Sequence, residues 1–264
     1  MIYLENLKNM DLMINTLIRN AIIFIDTIDF DNLIKNFFVS ESFIEEYKDM
    51  VNWRLVSRYQ KLSESFIEKH KDKLDWLYIS EYQKLSESFI EKHKDRINWK
   101  IISRCQTLSE TFIEKYYDKV KWKWICYNQH LSEKFIEKYK DRIDWVYITI
   151  KQELSESFIE KYKDILDLNL ISRYQKLSES FIEKHKNEID WDIISKYQIL
   201  SESFIEKYKD RLNLSLVLHC QKVSESFIEK YKDILDWTLI SIYQTLSEPF
   251  IEKYKDKVDW YYIS

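Results

Sequence analysis

The chain has 264 residues, with 41 basic against 45 acidic side chains and a net charge of −4. That balance speaks against nucleic acid, whose phosphates need a basic excess on one face. Glycine is absent and proline occurs once, at Pro249, so glycine-rich phosphate loops and two-residue hairpins are excluded.

Residues 1–16 follow no repeat. The richest apolar stretch, Leu12 to Ile28, is interrupted by Asn15, Thr16, Arg19, Asn20 and Asp26, so it is too polar to span a bilayer, and no signal peptide precedes it. From Leu17 to Val39 a degraded period appears: Ile28, Phe30, Leu33 and Val39 fall where later units carry Val51, Trp53, Val56 and Leu62. Residues 1–39 read as an N-terminal cap, an extra helix followed by a diverged unit. A short recruitment motif such as an F-box is the alternative for this segment.

From Ser40 onward a Ser-Glu dipeptide recurs every 23 residues without insertion or deletion, through Ser63, Ser86, Ser109 and so on to Ser247. Nine full units and a tenth that stops at Ser264 make up residues 40–264. A fixed period of this kind means a stacked array in which each unit covers its neighbour's apolar face. One body with no internal boundary is expected, extending on the order of 90 Å at ~8–10 Å per layer. Trp260, Tyr262 and Ile263 should be partly uncovered at the last unit, which suggests end-to-end self-association.

Within the unit 63–85 (SESFIEKHKDKLDWLYISEYQKL) two helical patterns follow one another. Ser63 is an N-cap, and Leu62 with Ile67 has the spacing of a hydrophobic staple. Pro249 falls in the first turn of its unit, where a missing N–H costs little. Phe66, Ile67, His70 and Leu74 share an arc of about 100°, giving a first helix of about three turns. Asp75 caps the second helix; the same slot is Asp or Asn in every unit except that of Lys121, which should cap poorly. Trp76, Ile79, Ser80 and Gln83 follow at helical spacing, and Tyr78 and Tyr82 widen the apolar arc until only Leu77, Glu81 and Lys84 face out. The predicted fold is an all-α solenoid of tandem helix–turn–helix repeats. The rival is an α/β solenoid like leucine-rich repeats, with WLYISEY as a strand, but the asparagine ladder and leucine spacing of that family are missing.

The string L-S-E-x-F-I-E-K-[YH]-K-D, followed by D-W-x-x-I-S-x-Y-Q, resembles tandem repeats in uncharacterised proteins of giant DNA viruses. The match covers residues 40–264. The resemblance implies an intracellular setting, the host cytoplasm, and carries no activity and no catalytic or binding residues.

Comparison of units separates structure from choice. Glu64, Phe66, Ile67 and Glu68 are repeated in all ten units, and Gln83 in all nine that reach it. Phe, Ile and Trp read as core. The glutamine reads as a partner for the carbonyls that a glycine-free helix end leaves open. His70, His93 and His185 occupy a slot that is otherwise tyrosine and read as its core substitutes, not as zinc ligands. Cys105 and Cys126 read as small buried groups. The three cysteines (with Cys220) follow no metal spacing and suit a reducing compartment. The Glu68-type strip is expected to face the Lys69/Lys73-type strip of the next layer.

What varies is the outward stripe of the second helices, which in two middle layers reads Lys123/Tyr127/His130 and Val146/Ile150/Glu153. A variable stripe on a repeated scaffold is how solenoids present a binding surface, and Tyr127, Val146 and Ile150 are the apolar anchors a protein partner would use. Those six residues are the candidate partner-binding site. Catalytic, cofactor and metal residues are not expected, since no nucleophile–base motif, metal signature or phosphate loop appears. The expected function is a non-catalytic scaffold for a protein partner. A single-stranded RNA binder that stacks bases on its aromatics and a structural virion component are the alternatives.

Overall fold

The computed structural model describes residues 29–263, which form 20 short helices and no strand. The segment WLYISEY is helix Trp76–Tyr82, so the repeat is helix–helix and the protein an all-α solenoid of tandem repeats. The proposed extra helix and the diverged unit's opening residues lie outside the described residues. The rest of that unit keeps the repeat's form, with helix Phe30–Asn36 in the second-helix place.

Each first helix is opened by its serine. The Ser63 hydroxyl accepts from the Phe66 N–H at 3.2 Å, and helix Glu64–Lys69 follows. Pro249 takes its place in the first turn of helix Glu248–Lys253. The helix is shorter than predicted. His70 leaves helical geometry at φ −111°, ψ 20°, and the N–H groups of Lys73 and Leu74 both turn back to its carbonyl. No described residue has a positive φ, so the chain reverses without the conformation that glycine would supply. The second helix starts where the Asp75 carboxylate accepts from the Leu77 N–H at 3.0 Å. Lys121 provides no such cap, as predicted.

The described residues fall into two compact units, divided between His130 and Leu131, where the unbroken period predicted no internal boundary. Within each unit, second helices pack on the second helices of adjacent layers. Ile67 and Ile79 and their counterparts from Ile44 to Ile240 are buried, each worth ~1.5–3 kcal/mol before entropy is subtracted, while Ile251 in the last layer is only partly covered. Tryptophan is a correction to the predicted core. Of the tryptophans in that slot only Trp191 is buried, and the others close the rim. Trp76 stacks on Phe89 of the next layer at 6.4 Å and 16°, while its indole N–H donates to the Lys71 carbonyl at 2.8 Å. That polar contact holds the ring at the edge of the core.

Three sets of polar side chains join the layers. The Gln83 amide donates to the carbonyls of Ser57 (3.1 Å) and Gln60 (2.8 Å), and its oxygen accepts from the Leu62 N–H (2.9 Å). The glutamine therefore caps the preceding layer's second helix, not its own. Gln60 treats Ile34, Phe37 and Val39 in the same way, as Gln175 treats Thr149, Gln152 and Leu154 in the second unit. The Ser57 hydroxyl donates to the Trp53 carbonyl and accepts from the Asp75 N–H of the next layer. Glu64 accepts from both the N–H and the hydroxyl of Ser86, which accounts for its repetition.

Gln221 supplies a comparison inside the same molecule. Its oxygen accepts from the Leu200 N–H at 2.9 Å, but its amide nitrogen has no partner. Replacing Gln83 by alanine strips two carbonyls and one N–H of their bonds and should cost ~2–4 kcal/mol at ~1–3 per buried unsatisfied group, less local relaxation. Gln221→Ala strips one and should cost about 1 kcal/mol. Urea unfolding of the two variants checks the ordering; equal costs would mean that the amide donors do not hold the layers.

Candidate binding face

The histidines are the natural first candidates for chemistry. His70, His93 and His185 are buried, and each Nε2 lies 2.7 Å from a carboxylate of the preceding layer, in Glu45, Glu68 and Glu160. The His70 and His93 rings each sit 4.7 Å from a tryptophan, Trp53 and Trp76. Tyr116 fills the same slot against Trp99 at 4.9 Å, so histidine stands in for tyrosine as predicted. Among the described residues no cluster of His, Cys, Asp or Glu has a metal-holding arrangement.

The acidic strip faces the basic strip of the next layer, as predicted. Glu45 pairs with Lys69 at 3.0 Å, Glu68 with Lys92 at 3.1 Å and Glu160 with Lys184 at 2.6 Å. Lys92 first, then Lys71, with a smaller contribution from His93, hold the Glu68 carboxyl down at about 2 against an ordinary 4.5. Lys69 and His70 lower Glu45, and Lys184 and His185 lower Glu160. These pairs are partly exposed to water and contribute little individually.

The outer face of the second helices differs between the units. In the first, helix Trp122–Asn128 carries Lys123 and Tyr127, both exposed, with His130 exposed just beyond it. The Tyr127 ring meets Trp124 edge-on at 6.4 Å and 86°. In the second unit, helix Trp145–Lys151 presents Val146, which is 51% exposed, and Glu153 is exposed past its end. Ile150 is only partly exposed, not open as its stripe position suggested.

A fourth outward position went unread in the sequence. Tyr59 and Tyr82, and in the second unit Tyr174 and Tyr197, are exposed and do not widen a buried arc. Cys105 and Cys220 occupy this slot and are exposed; Cys126 occupies the serine slot and is buried. Aligning the units column by column would have separated the two kinds of cysteine. The exposed tyrosines are held by cations: Arg58 lies over the rings of Tyr59, Tyr78 and Tyr82 at 5.1, 5.5 and 5.7 Å, and Arg173 over Tyr174 and Tyr197 at 5.3 and 5.0 Å. Shallow clefts open between layers at the helix C-terminal ends, one of about 340 Å³ beside Tyr82, Lys84 and Cys105 and one of about 450 Å³ beside Ile199, Cys220 and Tyr243.

No protein-family model, curated protein or solved structure matches the chain. Among the described residues no helix is long and apolar enough to cross a membrane.

The depressed carboxyls set an acid dependence. A carboxyl held below its ordinary value favours the folded state only while ionised, so its contribution is full above about 4.5 and is lost as pH falls towards the Glu68 value of about 2. The urea midpoint should therefore be flat from neutrality down to about pH 5 and fall below it. Glu68→Gln should make the fall shallower; an unchanged profile in that variant would remove Glu68 from the acid response.

Proposed function

We propose that the protein is a non-catalytic repeat scaffold that binds a protein partner through the outer faces of its second helices. One observation carries this reading. The side chains that repeat without change, Glu64, Phe66, Ile67 and Gln83, are taken up by packing or by bonds between layers, which leaves variation to the outward slots. Those slots hold large groups at the surface, among them Leu77, Tyr127 and Val146 at 45%, 40% and 51% exposure. Half-exposed apolar and aromatic groups on a rigid repeated frame suit protein contact. Lys123 and His130 flank Tyr127, and Glu153 follows Val146, as the polar surround of each anchor, while Ile150 adds a second, partly exposed aliphatic group to the helix that carries Val146. The resemblance to giant-virus repeats supports action inside a host cell.

The test is site-specific photo-crosslinking in the native cell. A benzophenone side chain placed at Tyr127 or Val146 should capture a discrete protein partner, while one at Lys134, on a first helix, should not. Adducts formed equally from Lys134 would move the contact off this face, and RNA adducts from Tyr127 would replace the protein reading with the nucleic-acid one.

A further inference from the structure

The overall charge balance conceals an uneven distribution. In the first unit the second-helix segments 29–38, 52–61, 75–84, 98–107 and 121–130 hold nine cations against four carboxylates, Asp29, Asp31, Asp75 and Glu81. The corresponding segments of the second unit, 144–153, 167–176, 190–199, 213–222 and 236–245, hold five cations against six carboxylates. First helices show no such excess in either unit, since their Glu68-type and Lys92-type groups cancel in pairs. The basic excess therefore belongs to one face of one unit.

We propose that this face of the first unit binds an acidic segment of a partner protein. The proposal rests on the scaffold reading above and gives the partner's contact its chemistry. In the full layers of this unit both carboxylates are already engaged, Asp75 at 3.6 Å from Arg54 and Glu81 at 2.7 Å from Arg104, and Asp29 and Asp31 lie at the far end on the diverged layer's helix. Arg58 makes no ion pair with a described residue, and Lys61, Lys84 and Lys100 are exposed. The arginines are also held in place. Arg54 donates to the Tyr78 hydroxyl at 3.2 Å and lies over its ring at 5.3 Å, Arg58 lies over three tyrosines, and Arg104 lies over Trp124 at 5.9 Å. A guanidinium stacked on a ring loses little freedom when it binds a carboxylate, and that of Arg58 has no carboxylate of a described residue on it already. Unpaired positive charge on a single face also steers an acidic chain towards it.

The same rings argue against single-stranded RNA. Base stacking needs an open aromatic face, whereas Arg58 lies over the Tyr59 and Tyr82 rings. What the face offers is charged hydrogen-bond donors.

Fluorescence anisotropy of the full chain tests this with three labelled probes: a dodecapeptide of alternating Glu and Asp, its Gln/Asn analogue, and a uridine dodecamer. The acidic peptide should bind, the amide analogue should not, and added salt should weaken binding. Arg54→Gln with Arg58→Gln should reduce peptide affinity roughly tenfold or more, with the circular dichroism melt retained. Lys61→Gln with Lys100→Gln, which alters neither ring stack, should weaken it in the same direction if the first pair disturbs folding. Arg173→Gln with Lys196→Gln in the second unit should leave affinity unchanged. No peptide binding, equal loss from the second-unit pair, or tighter binding of the uridine dodecamer would each overturn the proposal. Peptide failure alongside protein crosslinks at Tyr127 would remove the acidic chemistry and leave the scaffold reading intact.

Discussion

A helix end leaves carbonyls without partners, and this chain has no glycine with which to fold the backbone over them. The glutamine at the end of each second helix meets that constraint from outside. Its side chain crosses to the preceding layer, where one NH₂ group serves two carbonyls and the oxygen takes an N–H from the extended linker. One residue thereby closes a helix, fixes a linker and joins two layers. A leucine there would bury the same area and leave three backbone groups stranded.

The repeat length follows from such joins. Gln83 reaches back 26, 23 and 21 residues, Glu64 is reached from 22 ahead, and the Ser57 hydroxyl from 18 ahead. A single insertion would shift all of these registers together, which gives a physical reason for a 23-residue period without indels. The joins also show where a layer is less tightly held. Ser172 has no hydrogen-bond partner for its hydroxyl, and Leu218 takes the place of that serine in the layer whose Gln221 amide is left unpaired. The rest of the polar surface bears no such constraint, and the outward slots differ freely between the two units.

Much of the local structure was legible in the sequence because it depends on local rules. The serine and aspartate caps, the weak cap at Lys121 and the inward isoleucines follow from spacing and side-chain type alone. The first helix proved shorter than its apolar arc, and the His70-type ring at its end reaches a carboxylate of the layer before it, a contact 25 residues away in sequence. Tyr82 was placed in the core because its ring is apolar, yet its slot lies at the rim, where Arg58 covers it. The role of Glu64 was hidden for a similar reason: a carboxylate on a polar strip looks solvated until the serine it binds is placed beside it. The two faces of unlike charge were also present in the sequence, but only the assignment of each lysine to a first or second helix separates them from the overall balance.

The central claim is that glutamine amides bind one layer to the next. It is tested most directly at the Leu62 amide, which lies in the extended linker and donates to the Gln83 oxygen. Hydrogen exchange should find this amide slowed at least ~100-fold relative to an unstructured chain, and Gln83→Ala should release it while the Leu177 amide, bound to Gln198, stays protected. Exchange at the unstructured rate in the wild type, or protection at Leu62 that survives the loss of Gln83, would contradict the account.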